Sequence, residues 1–234
     1  MHKSLCCGAA TRRLRRWAMT SPAQPAEALP PPVFGDPTPV GLLGLAIGCG
    51  ALLPIAFGWM PSDPAKLAGM FRAASWFCLL FGAGGQLLSG LMALANKHAL
   101  GGTLFTTFAF NWMFNAWALR EAAEGRGVDP HIALSVDVTF ILIFVVLTFA
   151  FGFFSKLLFV FLLDIDLLYV LRIAKHFAPG LAAPLGLGIA FATLALGGIA
   201  LYLALALLLN PAAGRTILPL PGPMFAAGAR PERR

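Results

Sequence analysis

From residue 36 onward the chain alternates long uncharged apolar runs with short polar breaks. Six such runs can be marked: about Pro39 to Trp59, a second behind Ser62-Asp63-Pro64 reaching about Asn96, then about Gly101 to Leu119, Ile132 to Phe154, Lys156 to Ile173 and Leu181 to Leu209. Each is near the roughly 20 residues that a helix needs to cross the hydrocarbon core of a bilayer. The pattern predicts an all-α, polytopic membrane protein built as a bundle of six transmembrane helices. The breaks carry start and stop chemistry. Asp63 before Pro64 is a cap followed by a proline at the first helical position. Pro54 is a candidate kink, and Asn210-Pro211 is expected to end the last helix, because proline removes a backbone donor.

The first run opens on Gly35-Asp36-Pro37-Thr38-Pro39-Val40-Gly41-Leu42. Two prolines one residue apart suit only a first helical turn. Asp36 stands where its carboxylate can accept from free backbone N–H groups and face the positive end of the helix dipole. Gly41, Gly44 and Gly48 then leave a bare flank that another backbone can approach. Three domains are expected: residues 1–36 as a disordered basic, then Pro/Ala-rich tail, 37–214 as the six-helix transport domain, and 215–234 as a short C-terminal tail. Met19 offers a second translation start.

Composition agrees with lipid as the solvent. Hydrophobic residues make up 59% of the chain and charged ones 12%, and the mean hydropathy is +0.80, values outside the range of a soluble domain. The net charge of +7 could suggest nucleic acid, but the basic residues lie at the two ends and in short loops, without an aromatic-interleaved basic face. Membrane topology explains them better: an even number of spans with Lys and Arg concentrated in the leader, at Lys97, at Lys156 and from Arg215 onward places both termini in the cytoplasm by the positive-inside rule. Cys6, Cys7, Cys49 and Cys78 have no metal-ligand spacing, and neither a metal nor another cofactor is expected.

The opening stretch resembles the Asn-Pro-x-Pro-x-Gly-Leu signature of the acetate uptake transporter family, the succinate-acetate permeases of bacteria and their fungal relatives, with Asp36 in place of Asn and Pro37, Pro39, Gly41 and Leu42 retained. Phe81-Gly82-Ala83-Gly84-Gly85-Gln86 with Ser89-Gly90-Leu91, followed by Gly101, Thr103, Phe105-Thr106 and Trp112, is similar to the family's second and third helices. Gly214-Arg215-Thr216-Ile217-Leu218-Pro219 is similar to its closing Gly-Arg-Thr-Val-Leu-Pro. The resemblance runs from Asp36 to about Pro219. It implies a pore in each subunit, assembly as hexamers in the plasma (inner) membrane, and permeation of acetate and related small carboxylates, either with a proton or passively. Small-xxx-small patterns such as Gly85, Ser89, Ala93 are compatible with the assembly. Carried over by position, the family's apolar constriction falls on Leu45, Phe108 and Asp164.

The residues themselves offer chemistry beside that resemblance. Thr103, Thr107, Asn111 and Asn115 recur every four residues and form one polar stripe on the third helix. Such a stripe either replaces the hydration of a passing anion or hydrogen-bonds neighbouring helices. Gln86, in the glycine-rich second helix, has the same two readings. Asp164 and Asp166 lie mid-span, where a carboxylate costs about 2.5 to 3.5 kcal/mol by insertion scales, and point to nearly opposite faces. Asp164 is either the carrier of the proton that travels with the substrate or part of a salt bridge, with Arg72, Arg172 and Lys175 as possible partners. Asp137, near the start of the fourth helix, reads as a cap or an ion-pair partner. Two departures from the family, Gly48, Cys49, Leu53 and Ile55 for its polar first-helix residues and Ala93 for an acidic one, leave the particular acid open. Competing functions are a channel or exporter for ammonium, an intramembrane aspartyl enzyme pairing Asp137 with Asp164 or Asp166, and a membrane protein that transports nothing. The leading reading is not an enzyme.

Overall fold

The computed structural model describes residues 32–226; the basic leader with Cys6, Cys7 and Met19, and the tail from residue 227, lie outside the described residues. Six helices form among them: α1 Thr38–Ala56, α2 Pro64–Ala95, α3 Ala99–Ala123, α4 Pro130–Phe151, α5 Lys156–Phe177 and α6 Ala182–Ala213. Four of them, α1, α2, α4 and α6, are long and apolar enough to cross a membrane by themselves. The other two, α3 and α5, are as long but carry the amides and charges read from the sequence. Lys156, Asp164, Asp166, Arg172 and Lys175 all fall on α5.

Local chemistry sets the boundaries. Asp36 Oδ1 accepts from the Thr38 N–H at 3.0 Å, so its carboxylate ties the opening of α1 as expected. Asp63 accepts from the N–H groups of Ala65 and Lys66, and Asp129 does the same for His131 and Ile132 ahead of α4. The end of α6 differs from the sequence expectation. The helix runs through Pro211 and stops at Gly214, which is left-handed at φ 62°. Proline in a final turn forfeits one hydrogen bond, and the segment beyond is held instead by Asn210, whose Oδ1 accepts from the Ile217 and Leu218 N–H groups while its Nδ2 donates to the Leu218 carbonyl. Tyr202 donates to the Pro219 carbonyl. Those contacts give the Gly214-to-Pro219 stretch a structural role. Its glycine supplies the left-handed stop, and the residues after it fold back along α6.

Each helix packs on the next: α1 on α2, α2 on α3, α4 on α5 and α5 on α6, and α6 closes on α1. Between α3 and α4 the contact is aromatic, with the Phe108 and Phe144 ring centroids 4.7 Å apart. A ring of six alternating helices results, filled by Leu42, Leu45, Phe105, Phe108, Phe144 and Leu162. Its outside is apolar, with Leu80 and Leu88 on α2, Phe110 on α3, and Leu142, Val146 and Phe149 on α4 all exposed, the inverse of a water-soluble bundle.

The glycine flank of α1 is used within the chain. A Cβ on Gly44 would run into the Phe81 carbonyl oxygen of α2, and one on Gly85 would stand 3.3 Å from the Gly44 Cα; the two backbones cross there. A π-helical turn over Cys78–Ala83 interrupts α2 just before this crossing, adding a residue to the turn and changing which side chains face inward. Of the small residues Gly85, Ser89 and Ala93, the first meets α1, the second donates to the Pro37 carbonyl at 2.6 Å, and the third is buried. All three are occupied inside the subunit rather than held out for a neighbour.

Candidate functional site

At the end of the bundle where α1, α3 and α5 begin and α2 and α4 finish, a cavity of about 670 Å³ opens among Asp36, Thr38, Asn96, Phe105, Phe154 and Leu158. This is a vestibule. Its lip is clasped by one side chain: Asn96 Oδ1 accepts from the Phe34 N–H and its Nδ2 donates to the Phe34 carbonyl, both at 2.9 Å. Ala93, where the resembling family often has an acid, lines the same space.

Beyond the vestibule the bundle is closed by rings. Phe105 lines the vestibule and Phe108, one turn further along α3, lines a second cavity on the far side. Phe144 packs on Phe108, and its ring stacks on Phe140 and Tyr169 at 5.8 and 5.6 Å between centroids. Leu45 is 1% exposed and belongs to the same cluster. Stacked aromatics at this spacing form a well-packed plug.

The second cavity, about 130 Å³, is lined by Cys49 of α1, Phe108, Asn111 and Asn115 of α3, Ile165, Tyr169 and Arg172 of α5, and Thr193 of α6. Asn111 and Asn115 bring two amides to it, so half of the predicted polar stripe reaches the interior. The other half does not line it: Thr103 is exposed and Thr107 half-buried, because a four-residue step on a helix advances the side chain by about 40° and the stripe winds away. Gln86 is 1% exposed on the inward side of α2, and its Oε1 has no hydrogen-bond partner among the described residues.

Asp164 lines neither the vestibule nor the second cavity. It is half-buried and lines a groove on α5 with Val160, Leu163, Asp166, Leu167 and Val170, its Oδ2 buried without a hydrogen-bond partner among the described residues, and Ile165 stands in the interior at 1% exposed, on the cavity wall shared with Phe108. One residue is about 100° on a helix, so Ile165 rather than Asp164 lines the cavity with Phe108. Asp166 lines the same groove and turns one oxygen toward α4, where Thr148 Oγ1 donates to its Oδ2 at 2.7 Å. Both carboxylates line that groove, so they do not stand on fully opposite faces as the spacing alone implies.

The cation that the sequence offered to Asp164 or Asp166 goes elsewhere. Arg172 Nε donates to Asp137 Oδ2 at 3.0 Å and its NH2 nitrogen lies 2.9 Å from Oδ1, a bidentate pair between α5 and α4. Arg172 lines both the second cavity and a third, about 310 Å³, that opens at the other end of the bundle among Pro130, Leu134, Asp137, Lys175, His176 and Ile189. His131 and His176 stand there with ring centroids 6.2 Å apart. Asp137 is thus held by Arg172 and Asp166 by Thr148. Among the described residues no three His, Cys, Asp or Glu side chains gather as metal ligands. Ile165, Tyr169 and Thr193 were not singled out from the sequence; the inward face of α5, with Phe161, Ile165 and Tyr169 at four-residue spacing, is the signal that could have found the first two.

Six alternating helices around an aromatic plug, with an apolar outer surface, define a helical-bundle membrane protein. No protein-family model and no curated protein matches the sequence. Among solved structures, the chain is similar to one described as the structure of the bacterial acetate channel SatP, with a TM-score of 0.69 and 21% sequence identity over 80% of this chain and 99% of that one. The two share a fold.

Proposed function

We propose that this protein is a membrane channel or transporter that passes acetate and similar small carboxylates through its own helix ring. The observation that carries the reading is the sequence of spaces along one bundle: a vestibule, an aromatic closure at Phe105, Phe108 and Phe144, and a small cavity with the amides of Asn111 and Asn115 and the guanidinium of Arg172. The fold shared with an acetate channel supports it. Neutral amide donors can replace the hydration of an anion without trapping it, and an apolar ring lets a protonated acid pass at low desolvation cost. Leu45, Phe108 and Ile165 are the proposed constriction; Gln86, Asn111 and Asn115 the proposed polar path. Thr103 and Thr107 would serve only an approach to it.

Asp164 is assigned no part in proton coupling here. Two carboxylates, Asp164 and Asp166, in a groove otherwise lined by Val and Leu are costly against lipid, and we read that groove as a contact surface for a second copy of the chain, in keeping with an oligomer. Both described ends of the chain lie at the vestibule end, which we take to be cytoplasmic in a plasma (inner) membrane.

Uptake of labelled acetate into proteoliposomes at fixed voltage, with and without an inward proton gradient, tests the function. Flux above that of protein-free vesicles is expected. Accumulation driven by the gradient would make the protein a symporter and equilibration alone a passive pore, whereas no added flux from folded, inserted protein would refute the proposal.

A further inference from the structure

We propose that Arg172 is the residue that receives the carboxylate group of the permeant acid, with Asp137 as a built-in competitor that occupies the guanidinium between passages. The assignment rests on the carboxylate path proposed above and names its binding group. Arg172 and Ile189 are the residues shared by the narrow cavity and the outer one. A solute moving between those spaces passes the guanidinium. The Asp137 side chain is 10% exposed and that of Arg172 30%, so the pair is accessible from a cavity rather than sealed in packing. Arg172 also stands over the Tyr169 ring at 5.7 Å, which fixes the plane of the guanidinium beside Asn111 and Asn115.

The chemistry of exchange follows. Guanidinium carries five N–H donors in a planar fork that matches one carboxylate at a time along an edge. Asp137 presents the same group that an acetate would, so replacing one by the other conserves the number and kind of hydrogen bonds. A lone arginine in a narrow cavity would hold an anion too tightly for conduction, which requires a site that is favourable to enter and weak enough to leave. Asp137 weakens it by competition. Lys175 and His176 on the outer cavity add basic groups at the entrance, where a field of one sign raises the local concentration of anions.

Three variants separate this from an ion pair that only fastens α4 to α5: Asp137→Asn, Arg172→Gln, and the two together, each assayed for the concentration dependence of acetate flux in proteoliposomes and for thermal unfolding in detergent. Asp137→Asn is expected to lower the half-saturating acetate concentration about tenfold, the equivalent of about 1.4 kcal/mol. Arg172→Gln and the double variant are expected to raise it tenfold or more. If Arg172→Gln does not fold, the double variant decides, since it leaves no unpaired charge behind. A double variant with wild-type flux and half-saturation, or an Asp137→Asn variant whose affinity for acetate falls, would overturn the assignment and leave the pathway standing. Absence of acetate flux in the wild type would remove both.

Discussion

At the vestibule end the bundle uses neutral and backbone chemistry: Asn96 clasps the Phe34 peptide, Ser89 holds the Pro37 carbonyl, and the Asp36 carboxylate is bound to a helix N–H. The opposite end carries Arg172, Asp137, Lys175 and His176 around spaces of about 130 and 310 Å³. On the proposed path a solute in the wide cavity of about 670 Å³ would keep much of its water, so that space needs little from the protein. In the narrow one water must be shed, and there donors and charge replace it. The aromatic plug divides the two regimes. Phe105 faces one and Phe108 the other.

The largest expected effect breaks the frame that holds both ends. Gly44→Leu drives a side chain into the Phe81 carbonyl at the α1 and α2 crossing; backbone cannot yield as a side chain does, and the variant is expected to lose its folded monodisperse form, read by gel filtration and thermal unfolding. Next comes the narrow end. Asn111→Leu removes an amide from the second cavity without changing the helix, and acetate flux is expected to fall about tenfold, whereas the same change at Thr103, exposed and outside both cavities, is expected to leave flux within twofold. Equal losses at the two positions would erase the distinction between lined and unlined parts of the stripe. A smaller effect belongs to the α4 and α5 contact. Thr148→Val leaves the Asp166 Oδ2 without its donor and is expected to destabilise the protein by about 1 to 3 kcal/mol in denaturant unfolding, with the half-saturation for acetate unchanged because Asp166 lines neither polar cavity. The smallest lies at the polar end of α3, past its apolar run. Glu121 accepts from Arg126 Nε at 2.6 Å, and that hydrogen bond holds its carboxyl below the usual glutamate range. A depressed folded-state value means that the contribution is present above the ordinary glutamate pKa and is lost as pH falls through the folded one. Glu121→Gln is thus expected to flatten a slight acid-side decline in melting temperature, and at this exposed site to change little at neutral pH.

Much of the frame was legible in the sequence. The six apolar runs became six helices, Asp63 and Asp36 did the capping their positions imply, and the Gly44 flank received another backbone. Periodicity reports such features because they are local. The end of α6 was misplaced since Pro211 breaks a helix only where its missing donor matters, and the Asn210 side chain, whose bonds reach residues eight positions on, makes the last turn tolerable. The π-helical turn in α2 leaves no mark in composition. Site residues were harder. Half the polar stripe reaches the cavity because four-residue spacing winds slowly around the helix. Asp164 lines a groove on α5 while Ile165, the next residue, lines the second cavity, and Ile165 carries no signal apart from its face. Arg172 was named only as one of three cations for Asp164 or Asp166. Its pairing with Asp137 joins positions 35 residues apart, and only the packing of α4 on α5 decides it.

The size limit of the proposed carboxylate path is set by the aromatic closure at Phe108. It is tested most directly by comparing acetate with gluconate, a bulky ionised acid, as permeants of proteoliposomes containing wild type or Phe108→Ala. Acetate flux with exclusion of gluconate is expected in the wild type, and admission of gluconate with faster acetate flux once the ring is removed. A folded Phe108→Ala protein that still excludes gluconate and carries acetate at the wild-type rate would contradict it.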